Sequence, residues 1–195
     1  MLESFFRTHQ FLVEHTDAPV RRALMGEVDW RDRLIGIKGS RGVGKTTFLL
    51  QYAKENYGAR NRKCLYVDMN NFYFQGHTLF QFASEYVREG GRVLLIDQVF
   101  KYQDWSRELR LIYEKLPLLK VVFTGSSVMR LKEENVELNG LVSSYNLRGF
   151  SFREYLNLKT GCDLRAYSMH EIENRHEHIV REIMTKVNPV EYFQG

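Results

Sequence analysis

Apolar positions in this chain fall into short runs separated by stretches of helical spacing, and that alternation predicts most of its elements. Leu34-Ile35-Gly36-Ile37, Cys64-Leu65-Tyr66-Val67-Asp68, Val93-Leu94-Leu95-Ile96-Asp97 and Lys120-Val121-Val122-Phe123-Thr124 each read as a buried strand, and Ser144-Tyr145-Asn146-Leu147 as a fifth. Residues 78–89 put Leu79, Phe82, Ala83, Tyr86 and Val87 on one helical face and stop at Gly90-Gly91. Residues 47–54 and 105–116 also read as helices, the second ending before Pro117. Two short helices, 3–15 and 19–27, precede the first strand, with Asp17 or Thr16 capping the second and Pro19 in its first turn. A charged helix over 163–187 closes the chain. Its stripe of Ile172, Ile179, Ile183 and Val187 would dock on the core or on a further domain. Short apolar strands alternating with helices predict an α/β fold: a parallel sheet with helices on both faces and ligand groups at the carboxyl ends of its strands.

Composition narrows this picture only a little. A chain of 195 residues, 44 % hydrophobic, can bury one ordinary core with a small appendage, and 13 % aromatic content excludes a disordered chain. The net charge of +4 and the isoelectric point near 9.0 are mild. Most of the excess precedes residue 64, in Arg21, Arg22, Arg31, Arg33, Arg41, Arg60, Arg62 and Lys63, among others. Some must meet an anionic ligand; the rest reads as scattered surface charge, with nucleic acid a weakly supported partner. Cys64 and Cys162 stand in no motif, so neither a disulfide framework nor a zinc site is indicated. His170, His176 and His178 lack metal-ligand spacing and read as solvent-facing. The N-terminus is charged too early for a signal peptide and no apolar run reaches membrane length, which predicts a cytoplasmic protein with no membrane partner.

Chemistry enters between the first strand and the helix after it. Gly39-Ser40-Arg41-Gly42-Val43-Gly44-Lys45-Thr46 matches G-x-x-x-x-G-K-[ST] in a strand–loop–helix setting, with Thr47 following. Glycines let successive N–H groups curl inward around phosphate oxygens, and the helix N-terminus adds its own unpaired donors. Lys45 would neutralise the β- and γ-phosphates, and the Thr46 hydroxyl would complete a Mg²⁺ shell. A nucleotide phosphate site is the expectation, with ATP or ADP as ligand.

Val93-Leu94-Leu95-Ile96-Asp97 describes a Walker B strand, in which Asp97 would hold Mg²⁺ through water or through Thr46. The strand placed between it and the P-loop strand in sequence suits the branch of NTPases with a glutamate directly after that aspartate. Here the position is Gln98, which can orient a water but cannot take its proton, so slow turnover is expected. Thr124-Gly125-Ser126-Ser127 ends another strand in hydroxyls. Thr124 or Ser126 would face the γ-phosphate, or the cluster would cap a helix beginning near Val128. Arg130, Arg148 and Arg153 compete for an arginine-finger role that spacing alone does not assign.

Together with Asp29-Trp30, Val99-Phe100-Lys101-Tyr102, Asp104-Trp105-Ser106 and Ser151-Phe152-Arg153-Glu154-Tyr155, these blocks resemble the prokaryotic AAA+ ATPases of the AAA-14 type over nearly the whole chain. The resemblance implies a three-layer P-loop fold with strand order 5-1-4-3-2, ATP as ligand and Mg²⁺ as cofactor. It implies an AAA+ core, expected over 1–160, and the residues read above make Lys45, Asp97, Gln98 and Thr124 its expected catalytic set. Residues 161–195 would then open a C-terminal region, a domain of unknown function in relatives, that is cut short here. Two departures stand out: Asp-Glu in the family is Asp97-Gln98 here, and an arginine in many relatives gives way to Gly140-Leu141. Two functions follow. One is an ATPase driving rearrangement of its missing domain or a protein partner, with oligomerisation open. The other is a nucleotide-gated binding module, able to act on DNA, in which occupancy matters more than turnover.

Overall fold

Strands of four to six residues carry the core, and in the computed structural model they alternate their side chains between two apolar layers. The structure describes residues 1–126 and 137–193. Strands β1 (Leu34–Lys38), β2 (Cys64–Asp68), β3 (Val93–Asp97), β4 (Lys120–Gly125) and β5 (Ser143–Asn146) form one parallel sheet in the order β2-β3-β4-β1-β5. This is the expected 5-1-4-3-2. The P-loop strand β1 lies beside β4, and the Asp97 strand lies beyond it.

One face of the sheet presents Leu34, Leu65, Val67, Leu94, Ile96, Val121 and Phe123. Helix α4 (Leu79–Arg88) covers it with Leu79, Phe82, Ala83 and Tyr86, and α5 (Trp105–Lys115) with Leu109 and Ile112. The other face presents Ile35, Ile37, Cys64, Tyr66, Val93, Leu95 and Val122. Helix α3 (Lys45–Asn56) lies there, buried at every position from Phe48 to Ala53. That is why α3 shows no clear amphipathic stripe in sequence. Helix α1 (Leu2–His15) reaches both layers, with Leu2, Phe5 and Phe6 in the first and Val13 in the second.

Contacts divide the chain into two compact units, Met1–Ala18 with Leu24–Arg148, and Pro19–Ala23 with Gly149–Gly195. The second holds α6 (Phe152–Thr160) and α7 (Met169–Lys186), whose apolar centre is Leu156, Leu164 and Val187 with Ile183 against them.

Two helical expectations are corrected. Only α2 (Leu24–Glu27) forms within 19–27. The residues before it are held otherwise: the Glu154 carboxylate accepts from Ala23 N at 2.7 Å and from Arg22 Nε at 3.3 Å. Pro19 therefore opens no helix, and Thr16 instead donates its hydroxyl to Leu12 O at the end of α1. The closing helix starts at Met169 and not at 163, because Asn157 and Arg153 bind the backbone of Leu164 and keep that segment out of the helix. A capping box at Ser168 and Glu171 then starts α7.

Candidate functional site

Three strand ends, those of β1, β3 and β4, bring the candidate residues together. After Lys38 the chain turns through the glycine-rich loop before α3 starts at Lys45. Gly42 and Gly44 sit at φ of 83° and 94°, where a side chain would be strained. Gly39 meets a steric need instead: a Cβ there would strike the Leu147 carbonyl oxygen just after β5. Lys45 Nζ folds back and donates to the Gly39 and Ser40 carbonyls, both at 2.8 Å. Burial holds its pKa below the ordinary lysine value, and the Asp97 charge opposes that shift.

Asp97 ends β3 and is 1 % exposed, so its charge depends on what surrounds it. Thr46 Oγ1 donates to Oδ2 at 2.5 Å, and the Tyr66 hydroxyl to the same oxygen at 2.9 Å. Thr124 Oγ1 donates to Oδ1, as does the Gln98 backbone N–H at 3.0 Å. Burial, and then the Asp97 charge, push the Tyr66 hydroxyl's pKa up, so it stays a donor.

Gln98 has φ 54° and ψ 44°, the only positive φ outside glycine among the described residues. That conformation carries a strain of about 1 kcal/mol and turns the chain sharply out of β3. It is held by two bonds from Gln98 N, to Asp97 Oδ1 and to Thr124 Oγ1 at 2.9 Å. The side-chain Nε2 lies 3.4 and 3.5 Å from the two carboxylate oxygens of Asp68.

Above these groups opens a cavity of about 780 Å³, lined by Gly39, Ser40, Arg41, Gly42, Gly44, Lys45 and Thr46, and across from them by Asn70, Asp97, Gln98, Phe100, Lys101 and Ser126. Two loop candidates lie outside the wall: Val43 packs on the apolar layer below, and Thr47 is exposed. Thr124 is fully buried under Asp97, and Ser126 is the hydroxyl in the wall. Ser127, the start near Val128 and Arg130 lie outside the described residues. Arg148 is exposed, and Arg153 donates to Leu164 O at 3.2 Å within the second unit.

A family profile described as an AAA domain, AAA_14, matches residues 31–156, which takes in every strand and the whole cavity. The chain belongs to this family. Its fold is accordingly that of the P-loop ATPases. Among solved structures, C. elegans PCH-2 is similar over 82 % of this chain and 44 % of its own, at 16 % identity and a TM-score of 0.42. AMPPCP-bound DnaA from Aquifex aeolicus is similar over 92 % of this chain and 58 % of its own, at 14 % identity and a TM-score of 0.40. This chain thus spans about half the length of either. No curated protein matches it.

Within this AAA domain, sequence reasoning missed Tyr66, Asp68, Asn70, Phe100 and Lys101. Asp68 left a trace, since it ends an apolar strand just as Asp97 does. Tyr66 left none, because only the pairing of β2 with β3 brings its hydroxyl to Asp97.

Proposed function

We propose that this chain is a Mg²⁺-dependent ATP-binding domain that hydrolyses ATP slowly and couples nucleotide state to rearrangement of an attached domain or a partner protein. The observation that carries this reading is the 2.5 Å hydrogen bond from Thr46 to Asp97, which joins the glycine-rich loop to β3 at the floor of an open cavity. Loop N–H groups and the N-terminus of α3 receive the phosphates of ATP. Lys45 exchanges its two carbonyl partners for phosphate oxygens, a stronger, charge-assisted contact.

Thr46 and Asp97 present oxygen donors only, which suits Mg²⁺, and they are too few to surround it without phosphates and water. Bound there, Mg²⁺ supplies neutralisation of phosphate charge. Among the described residues no group of three or more His, Cys, Asp or Glu converges to hold a metal unaided. Gln98 faces the cavity with an amide, so it orients water without deprotonating it, which supports slow turnover.

The same amide favours a second reading, a nucleotide-gated module in which ATP occupancy is the signal. Nucleic acid gains little support as its target. Arg22, Arg31, Arg60 and Arg62 are in ion pairs with Glu154, Asp29, Glu14 and Glu3, and Arg33 stacks on Tyr113. Calorimetry with Mg·ATP on wild type and Lys45→Ala, followed by a single-turnover assay, tests the proposal. Binding that is lost in the variant, with slow ADP formation by wild type, is the expected result. Equal affinity in both proteins would overturn it.

A further inference from the structure

Asp68 and Asp97 end adjacent strands as register partners, yet they face different company. Asp97 is surrounded by hydroxyls, and Asp68 by amides. Asp68 Oδ1 accepts from Asn70 Nδ2 at 2.7 Å and from Asn70 N at 2.9 Å, and the carboxylate also takes Gln98 Nε2 at 3.4 Å. Both amide side chains belong to the cavity wall, and Asp68 stands behind them.

A primary amide has a donor end and an acceptor end, whereas an ionised carboxylate only accepts. Contact with Asp68 therefore selects one of the two flips of each amide. The NH₂ ends turn to Asp68, leaving Gln98 Oε1 and Asn70 Oδ1 as the ends directed elsewhere. The Gln98 backbone is fixed independently by Asp97 and Thr124, so main chain and side chain are both set before any ligand arrives.

We propose that Asp68 is a positioning residue, whose carboxylate holds the Gln98 and Asn70 amides with their carbonyl oxygens toward the cavity to accept hydrogen bonds from the attacking water. This rests on the ATPase reading above. In that reaction the water oxygen bonds to the γ-phosphorus as the bond to the β–γ bridging oxygen breaks. The electron pair leaves on ADP, and both protons leave on the product phosphate. The amides hold the water and take no proton.

The acid and the amide form a pair that can be reversed. Gln98→Glu alone sets two carboxylates side by side, with Asp97 one residue away and Arg41, Lys45 and Lys101 as the cations in the wall. Asp68→Asn combined with Gln98→Glu restores one amide and one acid with the donor on β2.

Two measurements test this. In calorimetry and single-turnover hydrolysis, Asp68→Asn is expected to keep Mg·ATP affinity and lose rate on the order of tenfold. The double variant should exceed both single variants. An unchanged rate, a rate that falls together with affinity, or a double variant no faster than Gln98→Glu would overturn the proposal. The second measurement needs no nucleotide: the ¹⁵N side-chain amide signal of Gln98, assigned by its loss in Gln98→Ala. One of its protons should stand downfield in wild type and return to the ordinary position in Asp68→Asn; a signal indifferent to that change overturns the proposal directly. If wild type binds no Mg·ATP, the ATPase reading falls and takes the kinetic role with it, while the amide signal still reports on the contact.

Discussion

At the scale of single residues, Thr124 and Ser126 have separate jobs that their sequence positions left interchangeable. Thr124 is buried and bonded to the carboxylate, whereas Ser126 faces the cavity. Replacing a donor to a buried charge leaves part of that charge uncompensated, so Thr124→Val should destabilise the fold by about 2 kcal/mol. Ser126→Ala should leave stability within about 0.5 kcal/mol. Urea midpoints of the two variants check this; equal midpoints would refute the assignment. His9 provides a pH handle elsewhere. It is 1 % exposed, and its Nδ1 accepts the Tyr66 N–H at 3.1 Å, closing a backbone donor on the edge strand β2. Burial lowers its pKa from 6.5 to about 4. In that interval the unfolded chain takes up a proton that the folded chain refuses. His9's contribution is therefore complete above the unfolded pKa and is lost as pH falls toward the folded one, by up to about 3 kcal/mol. His9→Gln keeps an acceptor for Tyr66 and should lose less stability between about pH 7 and about pH 5 than wild type does. Parallel losses in the two proteins would rule out the imidazole as the source.

At the scale of elements, what could be read in the sequence was what local chemistry dictates. Helix α4 has a capping box at Thr78 and Gln81 and an apolar face of Leu79, Phe82, Ala83 and Tyr86, and it forms where expected. Thr78→Ala removes the acceptor for Gln81 N and should cost about 1 kcal/mol, lowering the melting temperature by about 2–4 °C, with Mg·ATP affinity unchanged. Calorimetric melting beside a binding isotherm checks both halves. The segments misread as helix, 19–23 and 163–168, fail for the opposite reason. Glu154 reaches Ala23 across 131 positions, and Asn157 ties Leu164 in place, so distant side chains outcompete local helical preference. The site divides the same way. The glycine-rich loop and Asp97 announce themselves by spacing, because a curled backbone before a helix needs glycine at Gly42 and Gly44. Tyr66 and Asp68 act only through the pairing of β2 with β3, a register that no local pattern states.

At the scale of the whole molecule, the cavity lies entirely within the larger of the two units, which confines the effect of ligand on stability. A ligand that binds only the native state adds RT ln(1 + [L]/Kd), about 2.7 kcal/mol at a hundredfold excess over Kd. For a domain of this size that corresponds to a rise in melting temperature of roughly 5–10 °C. Lys45 donates to two loop carbonyls, so phosphate binding of the proposed kind would exchange these contacts and add less than the bare count of new bonds implies. The rise should therefore follow measured occupancy and not the number of phosphates contacted. ADP and ATP at equal saturation relative to their own Kd should give equal shifts. In a calorimetric scan the transition that melts the β-sheet should move with Mg·ATP. If Pro19–Ala23 with Gly149–Gly195 melts as a separate transition, that one should stay in place. Lys45→Ala should abolish the shift while leaving the unliganded melting temperature within a few degrees. A sheet transition indifferent to saturating Mg·ATP would remove the cavity from consideration as a nucleotide site. A shift that survives in Lys45→Ala would move the binding to another part of the molecule.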